Sequence, residues 1–178
     1  PGAWAARRID AWAHTARHPL FWVGAREMGG VSIGLTAWAF MTGVAMVKSG
    51  MSLTEAVLMS LLVFAGSAQL AAIPLIAAGA PLWVVLATAF CVNLRFVVSS
   101  LHLRDYFMFM PRRQRLTLGF FTGDVTYVLF TRRFARPAET ERQRRAQLAY
   151  LWGGNSCNWV FWQSLSMLGI FLGAALPA

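Results

Sequence analysis

Residues 63 to 80 read VFAGSAQLAAIPLIAAGA, an apolar run interrupted by a knot of small and polar groups, Ala65, Gly66, Ser67, Ala68 and Gln69. Either the run is one helix with a serine and a glutamine on its side, or the knot is a break between two shorter pieces. The solvent decides which. Of the 178 residues, 57% are apolar and 13% charged, with 13 Phe and 8 Trp. An average soluble domain has roughly 25% charged residues. The composition is that of a membrane protein, and the class expected is all-α and polytopic.

Charge placement then sets the topology. There are 16 Lys and Arg against 7 Asp and Glu, and the arginines cluster between apolar runs, in ARRIDAWAHTARHP, PRRQR and TRRFARPAETERQRR. Such clusters mark loops kept on the cytoplasmic side. A nucleic-acid module would need soluble elements between the clusters, and the sequence offers none; no nucleic acid is expected as a partner, and membrane lipid is. Five apolar stretches follow one another, over residues 28–47, 53–79, 82–103, 116–131 and 147–176. A simple span of ~30 Å needs ~20 residues. The fourth stretch, LTLGFFTGDVTYVLFT, would reach only ~24 Å as one helix. It holds Gly123 and Asp124 in its middle and has arginines on both sides, so it is expected to dip in and return.

The same rule answers the question of the knot. If the second and third stretches both crossed, the loop with Arg104, Arg112, Arg113 and Arg115 would lie outside, against the charge bias. The second is the one with an internal break: a descending half, Leu53 to Phe64, and a returning half, Leu70 to Ala78, weakened by Pro74. A re-entrant loop at membrane depth survives only where its unpaired backbone meets protein or a wet cavity. The knot is therefore expected at a loop tip in a polar cavity. VFAGSA at residue 63 and FFTGDV at residue 120 each follow a full-length span, and an odd number of crossings between them would make two inverted repeats with broken helices, the arrangement of secondary transporters. Coincidence accounts equally well for so short a match, and five plain spans with one loop against the charge bias is the competing topology.

Asp124 is the acid in the middle of an apolar segment. An intramembrane carboxylate is costly and marks a proton relay or a cation partner; the competing reading is a cap on a broken half-helix. Asn93 and Arg95 interrupt WVVLATAFCVNLRFVVSS. Arg95 is ~12 Å of helix from Leu103, so it either snorkels or binds a carboxylate bidentately. Ser67 and Gln69, with the exposed amides of a broken helix, would hold the same anion. Donors for a carboxylate and an acidic acceptor for an ammonium are what a zwitterion requires, and apolar walls would select its side chain.

Other polar residues carry less. Arg26, Glu27, Asn155, Asn158 and Gln163 suit interhelical hydrogen bonding, and His102 an interfacial position. Cys91 and Cys157 lie in apolar runs as buried free thiols, without metal spacing. Protease, hydrolase and P-loop motifs are missing from the sequence, so no enzyme, cofactor, metal or catalytic residue is expected. Residues 1–20 place Trp4, Ile9, Trp12 and Ala16 near one helical face beside Arg7, Arg8 and Arg17; this suits either an amphipathic helix on the cytoplasmic surface or a frayed basic tail, with residues 21–178 as one transmembrane domain.

FAGSAQ at Phe64 to Gln69, AAGAP at Ala77 to Pro81 and VNLR at Val92 to Arg95 occur in this order. In this the chain resembles the AzlC-type proteins, large subunits of branched-chain amino-acid exporters, over most of residues 24 to 176. The resemblance implies a permease of the bacterial inner membrane exporting branched-chain amino acids, with methionine a further candidate, beside a small AzlD-type membrane subunit. It also implies further apolar segments beyond the equivalent of Ala178. Phe96 stands where the family commonly has His, Ser99 and Ser100 where it often has Tyr and Gly, and Thr122, Gly123, Asp124, Val125 where it usually has T-D-E. Ser67, Gln69, Asn93 and Arg95 are thus the expected substrate-binding residues, and Asp124 the expected proton-coupling residue. An uncoupled solute channel and a non-transporting scaffold subunit are the rival functions.

Overall fold

The computed structural model describes residues 15–176. Its elements are α1 (Pro19–Lys48), α2 (Leu53–Leu62), α3 (Gly66–Ala77), α4 (Leu82–Phe107), α5 (Arg112–Phe121), α6 (Asp124–Arg133) and α7 (Glu141–Ala175). Among the described residues there is no strand. The surface helix expected over residues 1–20 falls mostly outside the described residues.

The protein is an all-α membrane protein. Helices α1 and α4 are long and apolar enough to cross a bilayer, and none of the apolar window of α4 is buried. Leu82, Trp83, Phe90, Val98 and Leu101 are each more than 60% exposed. Water would not tolerate so large an apolar surface, whereas lipid is its natural solvent. Cys91 lies on this exposed helix and Cys157 is half-buried; both thiols are free, and neither has the full burial expected.

Both predicted breaks are present, and the chain divides into two units, each containing one. The first unit comprises residues up to Val31 with Leu101–Trp159, the second Ser32–Ser100 with residues from Val160 onward. In the second unit α2 and α3 are separated at residues 63–65. The Gln69 amide donates to the Met59 carbonyl at 3.0 Å, although residues ten apart in a straight helix lie ~15 Å apart. The two halves therefore fold back on each other, and Ala56 and Ile73 share a buried cluster with Met46 and Ile170. The break lies earlier than expected: Gly66, Ser67, Ala68 and Gln69 already form the first turn of α3, which runs on through Pro74.

In the first unit α5 ends at Phe121 and α6 begins at Asp124. The chain returns to where it set out. The Tyr106 hydroxyl, before α5, donates to the Phe134 carbonyl, after α6, at 2.8 Å, and Phe130 packs on Tyr106 and Phe107 with ring centroids 5.2 and 5.6 Å apart. The Arg144 guanidinium lies 5.0 Å from the centre of the Phe109 ring. The two arginine-rich loops thus share one end of this unit, and labelling can place that end in the cell. Single cysteines at Arg113 and Arg142, with Cys91 and Cys157 replaced by serine, are expected to react alike with an impermeant maleimide in intact cells, both protected. Opposite accessibility would contradict the dip.

Helices α1 and α7 pack through glycine in each unit. A Cβ on Gly153 would lie 2.7 Å from the Phe21 carbonyl carbon, and one on Gly43 would lie 2.9 Å from the Ile170 nitrogen. Small residues let membrane helices approach at backbone distance, where dispersion and polar contacts replace the missing hydrophobic drive. Both helices begin earlier than their apolar stretches. In α1 the charge of Glu27 is absorbed by Arg133 at 2.7 Å and by the Tyr150 hydroxyl. In α7 Thr140 and Gln143 form a reciprocal cap, Gln143 N to Thr140 Oγ1 at 3.3 Å and Thr140 N to Gln143 Oε1 at 3.0 Å, the box that opens a helix in water.

Candidate functional site

Capping differs between the helix starts on either side of the second unit's break. Helix α2 opens with Ser52 and Glu55 satisfying each other's amides at 3.3 and 2.8 Å. Helices α3 and α6 open on Ala65 and Gly123, with no side-chain cap. Their first-turn amides and positive dipole ends are left for another acceptor.

In the second unit that helix start is surrounded by specific groups. The Arg95 guanidinium, carried by α4, donates to the Ser67 hydroxyl. The indole of Trp162, 7% exposed, lies so close to Gly66 that any Cβ there would overlap it. Trp38 meets Trp162 edge-on with centroids 5.8 Å apart. An arginine, a hydroxyl and free amides converge here beside a tryptophan wall.

The five predicted residues fare differently. Ser67 and Arg95 are brought into direct contact, so Arg95 is held by protein and does not simply snorkel. Gln69 is fully buried, its amide spent on Met59 while its Oε1 accepts no hydrogen bond. Asn93 precedes Arg95 by two positions and so lies on a different face of α4; its Oδ1 is buried without a donor. Asp124 belongs to the first unit, where it is the first residue of α6 and Gly123 holds the cap position. Asp124 thus sits one place past the cap position, and its carboxylate adds negative charge to the first turn of α6.

The last helix reaches both breaks. Asn155 Nδ2 donates to Thr122 Oγ1 at 3.0 Å, and Gln163 exchanges two bonds of 2.8 Å with Ser60, from its hydroxyl and to its carbonyl. These are the interhelical bonds expected of Asn155 and Gln163. His102 is exposed and its Nδ1 hydrogen-bonds the Tyr127 hydroxyl at 2.7 Å. Trp162 is the site residue that sequence reasoning missed.

A family model described as AzlC protein matches residues 30–176. The chain belongs to the AzlC family. It is also 24% identical over 157 residues to the inner membrane protein YgaZ of Escherichia coli (strain K12), a match covering 88% of the chain and 62% of that relative. The chain thus spans less than two thirds of the relative's length. No solved structure matches it. Two of the three motifs read from the sequence, FAGSAQ and VNLR, meet in the contact of Ser67 with Arg95. The Phe96 ring centre lies 5.0 Å from the Arg95 guanidinium, beside this site.

Proposed function

We propose that this chain is the large subunit of a secondary transporter that exports branched-chain amino acids, with methionine as a further candidate, across the bacterial inner membrane. It works without chemical transformation of the substrate and beside a small AzlD-type membrane subunit. The observation that carries the reading is the Arg95–Ser67 contact at the uncapped start of α3. The guanidinium of Arg95, a planar fork of N–H donors set against the start of α3, suits a substrate carboxylate together with the α3 amides. The unused oxygen of Gln69 is an acceptor suited to an ammonium, and the Trp38–Trp162 pair is suited to an aliphatic side chain.

Coupling to the proton gradient is assigned to Asp124, at the start of a broken helix. Asp124→Asn retains hydrogen bonding but cannot exchange a proton. In vesicles it is expected to preserve leucine exchange while abolishing export driven by an imposed pH gradient. Driven export at the unmodified rate, at equal protein level, would remove Asp124 from coupling, and equal abundance with neither activity in the unmodified protein would favour the scaffold reading.

A further inference from the structure

The break in the first unit contains buried oxygens that its own hydrogen bonds leave unused. Thr122 Oγ1 donates to the Leu118 carbonyl at 2.7 Å, so its proton is spent and it can only accept. It accepts from Asn155 Nδ2 at 3.0 Å. This fixes the orientation of the Asn155 amide, whose Oδ1 is then the other atom. Asn155 is fully buried, and that Oδ1 has no hydrogen-bond partner.

Thr126, in the first turn of α6 and 1% exposed, is the second such group. A threonine inside a helix ordinarily donates to the carbonyl four residues back, as Thr131 does to Tyr127 at 3.0 Å. For Thr126 that carbonyl belongs to Thr122, on the far side of the break, and its Oγ1 is buried without a partner. At the end of α5 the Leu118 carbonyl accepts from Thr122 Oγ1 and the Gly119 carbonyl from the Thr122 amide at 3.2 Å, which leaves the Phe121 carbonyl at the helix end, where the i+4 amide pattern stops. The comparable amide of α7 in the second unit, Gln163, has both ends satisfied by Ser60.

We infer that this break is a binding site for a monovalent metal cation, held by Asn155 Oδ1, Thr126 Oγ1 and the carbonyl oxygen at the end of α5, with Asp124 at the start of α6 supplying the compensating charge. Neutral oxygens with one carboxylate suit a singly charged ion. No group of three or more His, Cys, Asp or Glu exists among the described residues, as a divalent or transition-metal site would commonly use. Unwound carbonyls and half-helix ends are a known way of dehydrating Na+ within a membrane. Trp159 Nε1, also buried without a partner, is a donor and takes no part. The inference deepens the coupling role proposed for Asp124, but its test requires no transport.

Binding of radioactive Na+ to the purified protein in detergent, with choline replacing Na+ at constant ionic strength, reads the site directly. Saturable Na+ binding and a rise in melting temperature over choline are expected. The isosteric Thr126→Val and Asp124→Asn variants are expected to weaken binding about tenfold or more, the scale of one contact to a charge. Thr131→Val, which alters a hydroxyl already bonded within α6, is expected to bind as the unmodified protein does. A K+ arm identifies the preferred ion. Non-saturable binding in both Na+ and K+, or equal affinity in Thr126→Val, would overturn the site and leave a buried water as the partner of Asn155. Saturable Na+ binding without leucine transport would instead defeat the proposed function and leave the site standing.

Discussion

Gly153→Leu is expected to abolish accumulation of folded protein. The Phe21 carbonyl carbon and Cα would lie 2.7 and 3.0 Å from the new Cβ, and both are backbone atoms of α1 that no rotamer change can move. Helices α1 and α7 would have to separate, forfeiting the close contact that holds membrane helices together. Overpacking against side chains costs about 1–3 kcal/mol, and a rigid backbone neighbour puts this site at or above the upper end. Gly43→Leu makes the same test in the second unit, against Ser166 and Ile170. Gly30 and Gly34 lie on the same helix, yet a Cβ on either has nothing within 4 Å, and their leucine variants are expected to fold. Monodisperse elution in detergent and melting temperature measure this. Equal behaviour of all four variants would show that the glycine contacts do not hold the fold.

Arg95→Lys is expected to reduce leucine exchange about tenfold or more while leaving protein level and melting temperature nearly unchanged. Lysine keeps the charge but lacks the planar fork, so it cannot hold the Ser67 hydroxyl and a carboxylate at once. If Arg95 serves only to tether α4 to α3, melting temperature should fall and the exchange rate per folded molecule should not. Exchange in vesicles, normalised to folded protein, separates the two. A lysine variant with full exchange would remove the guanidinium from substrate recognition.

The breaks were legible because hydropathy and charge placement agree on them. Gly66 and Gly123 interrupt apolar runs; arginines flank the run with Gly123, and the arginines at residues 104–115 leave no room for both the second and the third stretch to cross. The early starts of α1 and α7 were less legible, because hydropathy reads Glu27 and the charged first turns of α7 as loop. Tertiary partners neutralise Glu27, and a capping box starts α7. That box, Thr140 with Gln143, was in the sequence and could have been read. Ser67 and Arg95 were found by residue type, and their contact confirms them as neighbours. Asn93 was named with them on proximity in sequence, but two residues along a helix turn a side chain to a different face. The glycine spacing and the place of Trp162 had no sequence signal of their own, since a glycine tells nothing of what lies against it.

The central claim is that an amino-acid carboxylate is recognised at Arg95 and Ser67, and exchange across a membrane tests it most directly. Vesicles containing this chain and an AzlD-type subunit are preloaded with unlabelled leucine, and uptake of labelled leucine is compared with that of labelled leucinamide. The amide keeps the side chain and the amino group and lacks only the carboxylate charge. Leucine exchange well above that of protein-free vesicles, at least about tenfold faster than leucinamide exchange and lost in Arg95→Lys, is the predicted result. Equal rates for leucine and leucinamide, unaffected by Arg95→Lys, would contradict the account.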